Sequence, residues 1–479
     1  MSLADWLQNP RIRRTLAASA VVLATGGLVL FRSPTPSIAG PLAVHTDATH
    51  ATFAGPGLRG SVALSHGAVL AGGDRDVYAE VRLSADPAER SGDRAPFALA
   101  IALDTSGSMM EDEKLDQAKR AVLELVRDMR DDDQIAVVRY SDYATVVQPL
   151  ARVADVRETL AVQVRQLEAA GGTAIPRGLQ SALGLLQEAG RGRVRRVVLV
   201  SDGLDSSRLE SEHLAKQSFD HGVTISSLGI GLDFDESYMG AVAREGHGNF
   251  AYVKDGSTLA SFLQRELHET ASTTIEGAVV KLELPSGVRF VSAAGADARV
   301  VDDKAIELRF GSLFARDERR AIVHLTARLD AGETVQVGAA ADWTQILPSA
   351  GAPFVPARIE IGALSLRGAV DTQSVEQSRD GVVFADATSV IASQRELEAT
   401  TAFANGDVRR AQQLIEQNVN ELNAAAALAP SAAPKLKKQL AAYDETKQSF
   451  HAAPGSGAGR AAAKRAFQQD WQNLDRVAY

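Results

Sequence analysis

A doubly wound α/β domain inserted into a β-sandwich, followed by a helical region, is the fold class the sequence predicts. Three observations predict it. Residues 97–103 form a continuous apolar run that stops at the polar segment Asp104-Thr105-Ser106-Gly107-Ser108. Strand and helix signals then alternate as far as His268, the pattern of a sheet wound on both faces. Before and after that stretch lie runs of strict apolar/polar alternation, the period of half-buried strands.

The apolar run suits a strand covered on both faces, and Gly107 permits a tight turn directly after it. Beyond the turn, Leu115, Ala118, Val122, Leu125, Val126 and Met129 share one helical face. Strand, loop and helix in that order place Asp104, Ser106 and Ser108 at the carboxyl edge of the sheet, where open α/β sheets bind ligands. Two hydroxyls and a carboxylate are hard oxygen donors. They suit Mg2+, Mn2+ or Ca2+ rather than zinc or copper. One loop cannot fill six positions, so other loops must contribute.

The segment Asp104 to Met109, DTSGSM, resembles the metal-ion-dependent adhesion site (MIDAS) of von Willebrand factor type A (VWA) domains, which are Rossmann-like, and the likeness runs on through the next 160 or so residues. That resemblance implies a threonine and a second aspartate from two later loops. Thr173 in EAAGGTAIPRGL and Asp202 in RRVVLVSDG stand in those places. It also implies a vacant coordination position that accepts an aspartate or glutamate carboxylate of a partner protein.

Within the insert, strands are expected at 135–140, 145–150, up to Asp202, 223–230 and 250–253, with helices near 155–167, 176–189 and 208–220 and a last helix to His268. The acidic run Asp131-Asp132-Asp133 reads as a solvated turn, and RGRVRR at 191–196 as a solvated lead into the strand at 197–200. In RDVYAEVRLSA, Val77, Ala79, Val81 and Leu83 alternate with polar residues. These strands are too few to close a core alone, so 42–95 is paired with 272–366 as one sandwich. A hairpin is expected around Pro285, Ser286 and Gly287. The domain plan is therefore 1–40 anchor and linker, 42–95 with 272–366 sandwich, 96–270 α/β domain, and 367–479 helical.

In the last of these, Asn405 and Gly406 stop one helix and Asp407 caps the next. The resulting hairpin resembles one tetratricopeptide-type unit, and a helical bundle packed on the sandwich is the expectation. APGSGAG at 453–459 reads as a flexible linker between two further helices.

At the N-terminus Arg11, Arg13 and Arg14 precede residues 15–31, which carry no charge, and Arg32 follows. The basic flank predicts that the rest lies outside the cytoplasm, as a single-pass envelope protein with a periplasmic C-terminal part. A signal peptide cut near Ala39 or Ala43, giving a secreted protein, is the alternative.

Of 479 residues, 45% are hydrophobic and 23% charged, ordinary globular values, and there is no cysteine to form disulfides or thiol sites. A net charge of −9 argues against a nucleic-acid partner. No HExxH, GxSxG or GxxxxGK[ST] motif occurs, so an enzyme is not expected, a hydrolase being the lesser alternative. His247, the histidine nearest a site loop, reads as a surface residue. The arrangement is similar to bacterial membrane-anchored VWA proteins related to inter-alpha-inhibitor heavy chains and calcium-activated chloride channel-like proteins. It implies metal-dependent adhesion or complex assembly, with a docking subunit of an envelope or ATPase-linked assembly as the second reading.

Overall fold

The computed structural model describes residues 43–475, apart from 88–93, 190–191, 204, 255, 303, 348–353 and the side chain of Asp475. The apolar run at 15–31 lies outside the described residues. Among those described, no helix is long and apolar enough to cross a membrane.

The chain opens with β1 (Ala43–Thr46), β2 (His50–Gly55), β3 (Leu58–Leu64), β4 (Ala68–Leu70) and β5 (Arg75–Ala85). The alternation in β5 buries Val77, Ala79, Val81 and Leu83, as a strand with one face inward requires.

The α/β domain follows: β6 (Phe97–Asp104), α1 (Lys114–Asp128), β7 (Gln134–Tyr140), β8 (Ala144–Arg152), α2 (Val153–Arg165), α3 (Ile175–Leu186), β9 (Val194–Ser201), α4 (Arg208–Asp220), β10 (Val223–Ile230), α5 (Glu236–Glu245), β11 (His247–Val253) and α6 (Gly256–Ala271). The strand order is β11-β10-β9-β6-β7-β8, parallel except for β8. β6 is buried along its whole length. Its side chains split by parity. Phe97, Leu99, Ile101 and Leu103 face the core under α1 and α6, while Ala98, Ala100 and Ala102 face the layer of α3 and α5. Small residues on that second face let helices approach closely, and Gly178 of α3 leaves room for the Tyr140 ring, which any Cβ there would meet at 2.5 Å.

The chain then returns to strands: β12 (Thr273–Glu283), β13 (Val288–Ala294), β14 (Asp297–Asp302), β15 (Ala305–Phe314), β16 (Glu318–Ala327), β17 (Thr334–Ile346) and β18 (Phe354–Ala369). Two six-stranded sheets result, β1-β2-β3-β5-β16-β13 and β14-β15-β12-β17-β18-β4. Strands from before and after the α/β domain share one core, with Phe53, Val62 and Val81 packed among Val280, Leu308, Val323 and Trp343. The hairpin expected at Pro285 to Gly287 does not form. β12 pairs with β15 and β17 while β13 pairs with β16 in the opposite sheet, so the turn is a corner between sheets. Alternation shows which residues face inward; it does not choose the neighbouring strand.

The helices are α7 (Thr372–Gln377), α8 (Gly381–Ala404), α9 (Val408–Leu428), α10 (Ala433–Ser449) and α11 (Gly457–Asp475). The Asp407 side chain accepts from the backbone N–H of Arg410 and caps α9. The bundle packs on the sandwich, where Arg320 bonds Asp386 and the Asn473 carbonyl. It also reaches the α/β domain, which the sequence reading did not foresee. Phe467 and Trp471 of α11 join the core beneath α5, and Trp471 Nε1 donates to the Gly240 carbonyl at 3.1 Å. Part of the expected linker at 453–459 is already the first turn of α11.

Two charged runs are less solvated than expected. Asp133 is fully buried and takes two hydrogen bonds from Arg94, at 2.6 and 2.5 Å. Arg196 is buried against Glu266 at 2.9 Å. Each has a partner distant in sequence, and a charge run carries no record of that.

Candidate metal centre

The site lies where the polar loops leave β6 and β9 at the carboxyl edge of the sheet. Asp104 closes β6 and is fully buried. Its Oδ1 accepts the backbone N–H of Ser106 at 2.8 Å, and its Oδ2 accepts the Ser201 hydroxyl at 2.6 Å. Burial pushes its pKa up to about 6, while the bonds from Ser201 and Ser106 pull the other way.

The backbone turns sharply after Asp104. Thr105 N–H and Oγ1 both donate to the Tyr140 carbonyl, at 2.8 and 3.1 Å, and Gly107 N–H donates to the Gly171 carbonyl at 2.9 Å. The Ser106 and Ser108 hydroxyls come to 3.1 Å from each other, and Ser108 Oγ donates to Asp202 Oδ1 at 2.8 Å. A short 3-10 turn, Gly107–Glu113, leads into α1, with Asp112 and Glu113 both at positive φ, 51° and 56°. Two consecutive non-glycine residues there mark local backbone strain beside the loop.

Thr173 arrives on the loop before α3. That loop is tied to the first by Ala170 N–H to the Thr105 carbonyl at 2.8 Å, and to the third by Ile175 N–H to Asp205 Oδ2 at 2.7 Å. Gly203 admits it: a Cβ there would meet Thr173 Oγ1 at 2.7 Å, too close for any other residue. Asp202 follows β9 and is fully buried. Of the five residues, Asp104, Ser106, Ser108 and Asp202 are linked by direct hydrogen bonds, and Thr173 stands against the glycine next to Asp202.

Two members escaped the sequence reading. Ser201 orients Asp104, and its place immediately before Asp202 at the strand end was the available signal. Lys114, the first residue of α1, places Nζ 2.8 Å from Asp202 Oδ2, with the two side chains 5% and 0% exposed. A lysine at a helix start carries no mark of such a partner.

His247 stands elsewhere. It begins β11, at the opposite edge of the sheet, and its ring stacks on Phe219 with centroids 3.7 Å apart. Desolvation, and then Arg319 and Arg309, lower its pKa to about 3, so it is a half-buried neutral imidazole stacked within a strand rather than the free surface residue expected.

The donor set fits a hard divalent cation. Three hydroxyls and two carboxylates converge without sulfur or imidazole. Among the described residues no group of three or more histidine, aspartate and glutamate side chains gathers to hold a metal ion, so the hydroxyls are a necessary part of this donor set.

Residues 98–265 match the von Willebrand factor type A domain family. The chain is 29% identical over 271 residues to the uncharacterized protein sll0103 of Synechocystis, covering 52% of this chain and 61% of that one. It is 28% identical over 198 residues to inter-alpha-trypsin inhibitor heavy chain H2 of Mus musculus, 38% of this chain and 20% of that one. It therefore spans less than two thirds of either relative. The solved structure of a von Willebrand factor type A protein from Catenulispora acidiphila superposes with a TM-score of 0.64 at 17% identity, covering 91% of this chain and 99% of that one. The likeness of fold thus extends well beyond the α/β domain.

Proposed function

We propose, from the premise that residues 98–265 are a von Willebrand factor type A domain, that this chain is a metal-dependent protein-binding protein. Asp104, Ser106, Ser108, Thr173 and Asp202 would hold one Mg2+ or Mn2+, with Ca2+ as the further candidate. When bound, such an ion supplies a Lewis-acidic position that takes an aspartate or glutamate carboxylate from a partner. The observation that carries this reading is the convergence at the sheet edge of Ser106 Oγ, 3.1 Å from Ser108 Oγ, and Asp202 Oδ1, 2.8 Å from the same hydroxyl.

Binding rather than catalysis is what the site's hydrogen bonds favour. Both oxygens of Asp104 and both of Asp202 already accept bonds, from Ser106, Ser201, Ser108 and Lys114, so neither carboxylate is disposed as a general base. The basic flank and apolar run at 11–31 support an envelope protein facing outward, anchored or released by cleavage near Ala39 or Ala43. Assembly into a larger envelope or ATPase-linked complex is the second reading. It is favoured by the C-terminal bundle, whose α11 is seated on the α/β domain and ties the site-bearing domain to a further helical surface.

The test is capture from solubilised membranes of the source cells by the full chain, in magnesium and in EDTA. Wild type should retain a set of proteins in magnesium only, and Ser106→Ala should retain none of that set. An identical set from the variant, or from wild type in EDTA, contradicts the reading.

A further inference from the structure

The two aspartates alone would neutralise a divalent ion. Lys114 changes that balance. Its ammonium is buried on Asp202 Oδ2 at 2.8 Å, while Asp202 Oδ1 faces Ser108 Oγ at 2.8 Å. An ion held at Ser108 therefore lies within one carboxylate's width of a fixed positive charge. The side chains of Asp104, Asp202 and Lys114 sum to one negative charge, and a divalent ion would bring them to one positive.

Lys114 is held there by the fold. It starts α1, and Gly231, at φ +77°, packs against it so closely that a Cβ would meet Lys114 Cε at 3.1 Å. The neighbouring carboxylates are turned to backbone N–H groups and not to the site's hydroxyls. Asp205 spends its oxygens on the backbone N–H groups of Ile175 and Ser207 at 2.7 Å each, and Asp142 accepts Gly172 N–H at 3.1 Å.

We propose that Lys114 is the resident counter-charge of this site: it neutralises Asp202, holds divalent-ion affinity down, and leaves the loaded site with a net positive charge that an acidic ligand completes. This rests on the metal-site reading above. A charge so near the ion and screened from water acts strongly, since Coulomb interaction over a few ångströms grows as the effective dielectric falls.

The probe is Mn2+ alone, titrated into the full chain and followed by electron paramagnetic resonance, with thermal melts in parallel. Lys114→Met should bind Mn2+ at least about tenfold more tightly than wild type, a change of roughly 1.4 kcal/mol or more. Its melting temperature should also rise further on adding Mn2+ than that of wild type. Lys114→Arg keeps the charge and should stay within about threefold of wild type.

Because Lys114→Met leaves buried Asp202 without its charged partner, Ser108 alone remaining, a second comparison guards against misfolding. Asp202→Asn alone should lose at least about tenfold in affinity, and the double variant Lys114→Met/Asp202→Asn, which restores the charge balance, should regain most of it. If Lys114→Met binds no more tightly, or the double variant no better than Asp202→Asn, Lys114 is structural only and the proposal is overturned. If wild type itself binds no Mn2+, the metal-site reading falls with it.

Discussion

Ser108 Oγ donates a 2.8 Å hydrogen bond to Asp202 Oδ1 and so joins two loops that stand 94 residues apart in the chain. Ser108 lies in the 3-10 turn that follows β6, and Asp202 directly after β9. Both are placed by the strands that precede them, β6 and β9, which lie side by side in parallel register.

Removing one hydroxyl should therefore cost affinity and little stability. Ser106→Ala deletes a neutral donor and its hydrogen bond with Ser108, and Ser108→Ala a neutral donor and two hydrogen bonds, at about 1 kcal/mol of folding stability per bond. Mn2+ affinity should fall at least about tenfold in either variant. Titration calorimetry beside thermal melts separates the two effects; a variant that keeps wild-type affinity removes that serine from the ligand set.

Gly203→Ala tests the approach of the second loop. The new Cβ would come to 2.7 Å from Thr173 Oγ1, so Thr173 must retreat. Metal affinity should drop while Thr173→Ala in the same background has no further effect. Additive losses in the double variant would show that Thr173 was not the group displaced.

The seat of α11 on the α/β domain predicts a stability defect. Lys464 Nζ donates to the Phe234 carbonyl at 2.6 Å and to Glu236 Oε2 at 2.7 Å, and is buried. Lys464→Met leaves Glu236 without that partner and should destabilise the chain by about 3 kcal/mol, the scale for breaking a buried pair. Hydrogen exchange in residues 457–475 should accelerate first; unchanged protection there would mean that the contact does not hold the helix.

Glu396 predicts a pH dependence. Burial, and then the nearby Asp470 carboxyl, push its pKa well above the ordinary value of 4.5. Between the two values the unfolded chain is ionised where the folded chain keeps its proton, so this group lowers stability as pH rises from 4.5. Glu396→Gln keeps the neutral form and an acceptor for Asn418 Nδ2, which now stands at 3.1 Å. The variant should match wild type near pH 4.5 and exceed it at pH 8 by more than about 1.4 kcal/mol, the worth of one pH unit. Denaturant melts at both values decide it, and equal stability at pH 8 refutes the assignment.

What the sequence displayed was whatever is encoded locally. The apolar length of β6, the period of α1 and the alternation in β5 each set an element within a residue or two of where it lies. The same local logic placed Asp104, Ser106 and Ser108 at a strand end. What stayed hidden were pairings across the chain. Arg196 meets Glu266, Asp133 meets Arg94, and Lys114 meets Asp202, each over tens of residues, and nothing near either partner announces the other. The corner at Pro285 was misread for the same reason, since inward-facing alternation is common to both sheets of a sandwich.

One hard divalent ion is expected among these oxygens. Crystals of the protein soaked in MnCl2 and measured at the manganese absorption edge test it directly. One anomalous peak is expected, bounded by the hydroxyls of Ser106, Ser108 and Thr173 and adjacent to Asp104 and Asp202, and it should disappear in Asp202→Ala crystals. A peak elsewhere, or none at that position in wild-type crystals at saturating Mn2+, would contradict it.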